Sequence, residues 1–149
     1  MINTAPGFTK SPIAINACRL TAANTNSDGT GNITTPTMFL VATAGANGSY
    51  LDFLRQMATA SAAGTATTAT VHRFYLSTIS SGATTNANTF LFKEYAVPSV
   101  SADSASLAQN EIDVPCGFWV PANMTILAST HSAPAANTAW IILPFGGDF

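Results

Sequence analysis

Apolar and polar residues alternate with period two in a series of short runs along this chain, and that pattern restricts it to β structure. Residues 12–20 place Ile13, Ile15 and Ala17 on one side and Ala14, Asn16 and Cys18 on the other. Residues 50–57 set Leu51, Phe53 and Arg55 against Asp52, Leu54 and Gln56. Residues 67–79 set Val71, Arg73, Tyr75 and Ser77 against His72, Phe74 and Leu76. Segments 38–43, 90–97, 107–114, 124–130 and 138–144 complete a set of about eight strands, roughly 10–15 residues apart. Turn chemistry separates them: the Asn- and Gly-rich stretch 24–31, the Asn47-Gly48 pair, and segments 80–83 and 120–123. Residues 58–69 are low in complexity and read as a loop or two strand ends around Gly64. The best helical candidate, 51–60, carries Leu51, Leu54, Arg55 and Ala58 at helical spacing. It follows the Asn-Gly turn, so strand is the preferred reading. The expected fold is all-β: a single-domain β-sandwich over 12–149, an eight-stranded jelly roll, preceded by an extended arm over 1–11. The arm holds Pro6 and Gly7 and no run able to pack.

Charge narrows the functions such a sandwich can serve. Only 8% of the 149 residues are Asp, Glu, Lys or Arg, against about 25% in an ordinary soluble domain. The net charge is −2, and the basic residues Lys10, Arg19, Arg55, Arg73 and Lys93 are scattered. Phosphate binding needs clustered cations, so no nucleic-acid partner is expected. The longest apolar runs are far too short to span a bilayer, so no membrane role is expected. The first residues lack the basic and apolar regions of a secretory signal, which implies synthesis in the cytoplasm. A surface with so little charge repulsion is suited to being covered by neighbours.

The candidate chemical groups each have a plain structural reading. Asn24, Asn26 and Asp28, followed by Gly29, mimic the first half of a calcium loop. The twelfth position is Thr35, which cannot supply the bidentate carboxylate, so the expectation is an Asx-stitched loop and no metal or cofactor. His72 and His131 are far apart, and His72 reads as a structural hydrogen-bonding group. No nucleophile elbow accompanies His131-Ser132. Glu111 and Asp113 share one side of a strand and read as a solvated face or a partner's docking point. No catalytic residues are assigned, and no enzyme is expected. Cys18 and Cys116 read as free thiols, able to pair only if their strands are neighbours. Tyr50, Tyr75, Tyr95, Trp119 and Trp140 read as core, with sugar stacking as the alternative. Phe118 and Trp119 lie between Pro115 and Pro121, in an expected loop where exposed aromatics would anchor an interface. Phe149 ends the chain after the Gly146-Gly147 pair. It either inserts into a neighbour or frays beside a core-docked Phe145.

Several stretches are familiar together: 11–17, 20–31 (ending Asn24-Thr25-Asn26-Ser27-Asp28-Gly29-Thr30-Gly31), the turn 43–49 and the closing Phe145-Gly146-Gly147-Asp148-Phe149. They resemble the small virion structural proteins of tailed bacteriophages, and most closely the head decoration or cement proteins. The resemblance implies a compact β domain, commonly a homotrimer, on the outer capsid surface of the virion. There it would bridge subunits of the major capsid protein. It brings no catalytic residues. On this reading the capsid or inter-subunit contacts are expected at Ile2, Phe8, Phe118, Trp119 and Phe149. Tyr50-Leu51-Asp52-Phe53-Leu54 departs from the charged residues expected after the turn. The alternatives are a glycan- or receptor-binding sandwich of a phage tail tip or fibre, and a tail or collar scaffold.

Overall fold

The computed structural model describes residues 11–16, 18–61, 65–102 and 110–149. Ile2, Phe8, most of the expected arm and the 107–109 part of an expected strand lie outside them. The strands are β1 (Ser11–Pro12), β2 (Ala14–Ile15), β3 (Cys18–Leu20), β4 (Gly31–Asn32), β5 (Phe39–Thr43), β6 (Ser49–Ala60) and β7 (Thr65–Ala66). They continue with β8 (Thr70–Ser77), β9 (Ala83–Thr84), β10 (Thr89–Val97), β11 (Ser101–Ala102), β12 (Glu111–Val120), β13 (Thr125–Thr130) and β14 (Thr138–Asp148). The chain is all-β, and among the described residues no helix is long and apolar enough to cross a membrane. The 51–60 segment is strand, as the preceding Asn-Gly turn suggested.

Two five-stranded antiparallel sheets form the body. The first runs β1-β14-β6-β12, with β3 also on β14, and the second runs β10-β8-β13-β5-β2. The pairing is nested. The opening segment lies on β14, β5 on β13, β6 on β12 and β8 on β10. Between the sheets sit Leu20, Leu51, Leu54, Val114, Val120, Trp140 and Ile142 from the first, against Val41, Phe74, Ile126 and Ala128 from the second.

The expected strand over 12–20 is instead three short ones. β1 and β3 join the first sheet, while β2 joins the second through Ala14↔Thr43. The backbone switches sheets to close this edge of the sandwich. Ile13 N–H donates to Gly146 at 3.3 Å and Asn16 N–H donates to Val41 at 3.0 Å. The switch breaks the simple alternation, so Ile13 and Cys18 are both buried although they were expected on opposite sides.

Cys18 lies on β3 and Cys116 on β12, with β14 and β6 between them. Both are free thiols. Burial pushes the Cys18 thiol up to about 12.

One polar pair crosses the core. His72 on β8 hydrogen-bonds through Nδ1 to the Gln56 side-chain oxygen on β6. The imidazole also meets Trp140 edge to face, with centroids 5.1 Å apart. His72 is therefore a structural group. Burial drags its pKa from 6.5 down to about 3. The unfolded chain then takes up a proton that the native state refuses. Stability is complete above about pH 6.5 and declines as pH falls toward 3, by up to roughly 1.4 kcal/mol per unit. Urea unfolding at several pH values between these limits should show that slope, and His72→Gln should flatten it above the range where carboxylates titrate. An unchanged slope in the variant would contradict the assignment.

Candidate functional site

The outer faces of the two sheets differ. Residues 21–38 lie over the second. Ala23 bridges Thr130, and Asn24 N–H donates to Thr130 at 2.7 Å. Met38 packs with Tyr75 and Leu127, flanked by Ile33 and Leu40. This cover explains why β8 is buried on both faces, at Arg73 and Tyr75 as well as at His72 and Phe74. Gly29 makes the close approach possible: its φ is +89°, and a Cβ there would lie 2.4 Å from the Thr89 carbonyl oxygen.

The same loop carries Asn24, Asn26 and Asp28, and side-chain oxygens of Asn24 and Asp28 are already engaged. The Asn26 N–H donates to Asn24 Oδ1 at 3.0 Å, and the Thr30 N–H to Asp28 Oδ1 at 2.9 Å. These are the Asx turns expected from the sequence. Backbone carbonyls of Asn24, Thr25 and Asn26 converge on Arg73 Nη1 at 3.3, 3.5 and 3.5 Å. Arg73 Nε donates to Glu94 at 2.6 Å. The Thr30 carbonyl, at the seventh position of the calcium-loop pattern, accepts from the Asn24 and Asn26 side-chain amides at 3.0 and 3.3 Å. Among the described residues no group of His, Cys, Asp or Glu could hold a metal ion.

No described segment covers the outer face of the first sheet in this way, and its solvent side is aromatic. Register irregularities fall between Phe145 and Gly146 on β14 and between Pro115 and Phe118 on β12. Both leave Asp52 of β6 without a partner, which resets the alternation. Leu51, Leu54 and Gln56 therefore point inward, while Tyr50 and Asp52, then Phe53, Arg55 and Met57, lie on the outside. This corrects the expected grouping of Leu51 with Phe53. Phe53 stacks on its cross-strand partner Phe145, centroids 4.5 Å apart and planes 7° from parallel. The Arg55 guanidinium sits 5.6 and 5.4 Å from those rings. It binds Asp113 in bidentate fashion at 2.8 and 2.9 Å, and Glu111 at 3.1 Å. Its hydrogen bonds hold the Asp113 carboxyl below the usual carboxylate range. Glu111 and Asp113 do share a face, but Arg55 neutralises much of it.

Phe118 and Trp119 are in strand β12, not in a loop. Pro115 is tolerated there because β12 is an edge strand, where one side of the ladder needs no donor. The two aromatics part ways. Phe118 turns inward and meets Phe92 edge to face at 5.0 Å. Trp119 turns outward, 51% exposed. Phe149 stacks on Trp119 at 4.2 Å within the same chain. The chain end is held: strand β14 continues to Asp148, and Asn47 Nδ2 donates to the Phe149 carbonyl at 3.1 Å. Phe145 is on the surface rather than in the core. Trp140 and Tyr75 are buried, Tyr50 is exposed and Tyr95 is half-buried.

The site is thus a platform: the Phe53–Phe145 and Trp119–Phe149 stacks, Tyr50 and the paired Arg55. Of these, Trp119 and Phe149 were singled out in the sequence as contacts, while Tyr50, read there as core with stacking as the alternative, is exposed. Phe53, Arg55 and Phe145 were missed, although aromatic residues at strand positions beside a charged one were a readable signal. The platform suits apolar contact and stacking. It joins no nucleophile to a base. No protein-family model, curated protein or solved structure matches the chain.

Because the Thr30 carbonyl and the Asn24 and Asp28 side chains are engaged within the loop, adding calcium to about 5 mM should leave the melting temperature within about 1 °C, read by calorimetry. A rise of several degrees would show that the loop binds the ion.

Proposed function

We propose that this chain is a structural protein of a phage virion. It binds the outer surface of the capsid as a trimer and stabilises the shell by bridging major capsid protein subunits. The observation that carries this reading is the aromatic face of the first sheet, which no described segment covers, beside a second sheet whose β8 and β13 lie under residues 21–38. An apolar face of this kind marks a site for a partner. The sparse charge, the resemblance to cement proteins and the lack of a catalytic constellation among the described residues support the same reading. The nested strand pairing supports a jelly roll, an architecture used by capsid proteins and lectins alike.

The mechanism follows from geometry and mass action. A trimer presents its docking face more than once, so engaging one capsomer raises the effective concentration of the next contact. Internal pressure separates capsomers, and a clamp that recognises their mature arrangement stabilises that arrangement. Arg55 enters such an interface already paired, which avoids burying a lone charge.

The half-exposed indole of Trp119 favours one second reading, a sugar-stacking platform of a tail tip or fibre. A pelleting assay separates the two. The protein should co-sediment with phage heads stripped of their outer proteins. Trp119→Ser with Phe145→Ser should weaken that binding by tenfold or more, while fluorescence of the buried Trp140 stays native. Retained binding by the folded double variant would overturn the role of the face. Binding to immobilised oligosaccharides but not to heads would replace the capsid reading with the sugar-binding one.

A further inference from the structure

The two long edge strands, β10 and β12, lie in different sheets at the side of the sandwich that the opening segment does not close. Between them is a cleft of about 310 Å³ lined by Leu76, Phe92, Lys93, Pro115, Cys116 and Phe118. Each edge strand has a register irregularity at this point, between Leu91 and Lys93 on β10 and between Pro115 and Phe118 on β12. Phe92 and Cys116, two of the lining residues, are among those the irregularities leave unpaired. Paired bulges on facing strands re-aim side chains and hold a sheet edge open, a device common beside functional sites.

The lining has one chemical bias. Phe92, Phe118, Leu76 and Pro115 make apolar walls. Lys93 is opposite Phe74 in the register, on the inward side of the second sheet. Arg55 and Arg73 are held by carboxylates, whereas Lys93 has no carboxylate within ion-pair distance among the described residues. Its charge acts on the Cys116 thiol more strongly than the opposing Asp52 carboxylate does. The thiol itself is pushed up to about 11 by burial, so it offers a neutral wall and not a nucleophile.

We propose that this cleft binds a small apolar carboxylate, with an aliphatic or aromatic tail between Phe92 and Phe118 and its acid group on Lys93. The site is on the edge of the sandwich, apart from the aromatic face, and it stands whether or not the capsid reading holds. Its volume lies at the small end of ligand cavities, suited to one short chain or one ring.

Octanoate, octylammonium and 1-octanol are suitable probes, followed by NMR at the Leu76 methyls and the Phe92 and Phe118 rings. Octanoate should shift these resonances saturably and bind about tenfold more tightly than octylammonium. Lys93→Gln, a change on a half-buried side chain with no ion pair among the described residues, should erase the preference for the acid while leaving 1-octanol within about twofold. Absence of saturable shifts would overturn the site. Equal binding of acid and amine by the unaltered protein would overturn the role of Lys93, and the proposal with it.

Discussion

A two-sheet sandwich has four faces to satisfy, and the distribution of cover over them decides the character of this molecule. The two inner faces bury each other. Over β8 and β13 the outer face of the second sheet is buried by residues 21–38, through Met38, Ile33 and the Arg73-anchored loop, while Leu91 on β10 stays 40% exposed. Nothing described performs that service for the outer face of the first sheet, where Trp119, Tyr50 and Phe145 are 51, 38 and 37% exposed. Water must wet these rings unless another surface takes its place, and the resulting cost is recovered on association.

The charge economy fits the same picture. With few ionised groups available, Arg55 and Arg73 are both placed where they organise structure. Arg73 pins the covering loop to the second sheet and pairs with Glu94. Arg55 lies over the Phe53–Phe145 stack and is tied down by Asp113 and Glu111. Isolated surface ion pairs stabilise a fold little. Here they fix the orientation of flat groups. Groups already oriented in this way lower the entropic cost of docking.

The sequence made the strands legible where one local rule governed them. β5, β8 and β10 follow their expected runs, and the Asn47-Gly48 turn correctly decided for strand in β6. Legibility failed where two long-range constraints met. The segment 12–20 alternates in sequence, but it switches sheets to close an edge, a choice set by partners more than 20 residues and even 100 residues away. The bulged positions that set Asp52, Cys116 and Gly117 aside depend on three strands agreeing on register, and no local pattern announces them. They are the reason Phe53 faces solvent, and the reason Pro115 marks an irregular edge strand and not a loop. The candidate site was half visible. Trp119 and Phe149 stood out as aromatics near prolines and a chain end, whereas the pairing of Phe53 with Phe145 requires knowing that β6 and β14 are neighbours.

A capsid role requires the aromatic face of the first sheet to be occupied in the working state of the protein. A cryo-EM reconstruction of particles carrying this protein tests that directly. Many copies per particle are expected, each with the β6–β12–β14 face and the Trp119–Phe149 stack buried against shell or a neighbouring copy. Copies seated on the particle with that face turned to solvent would contradict it.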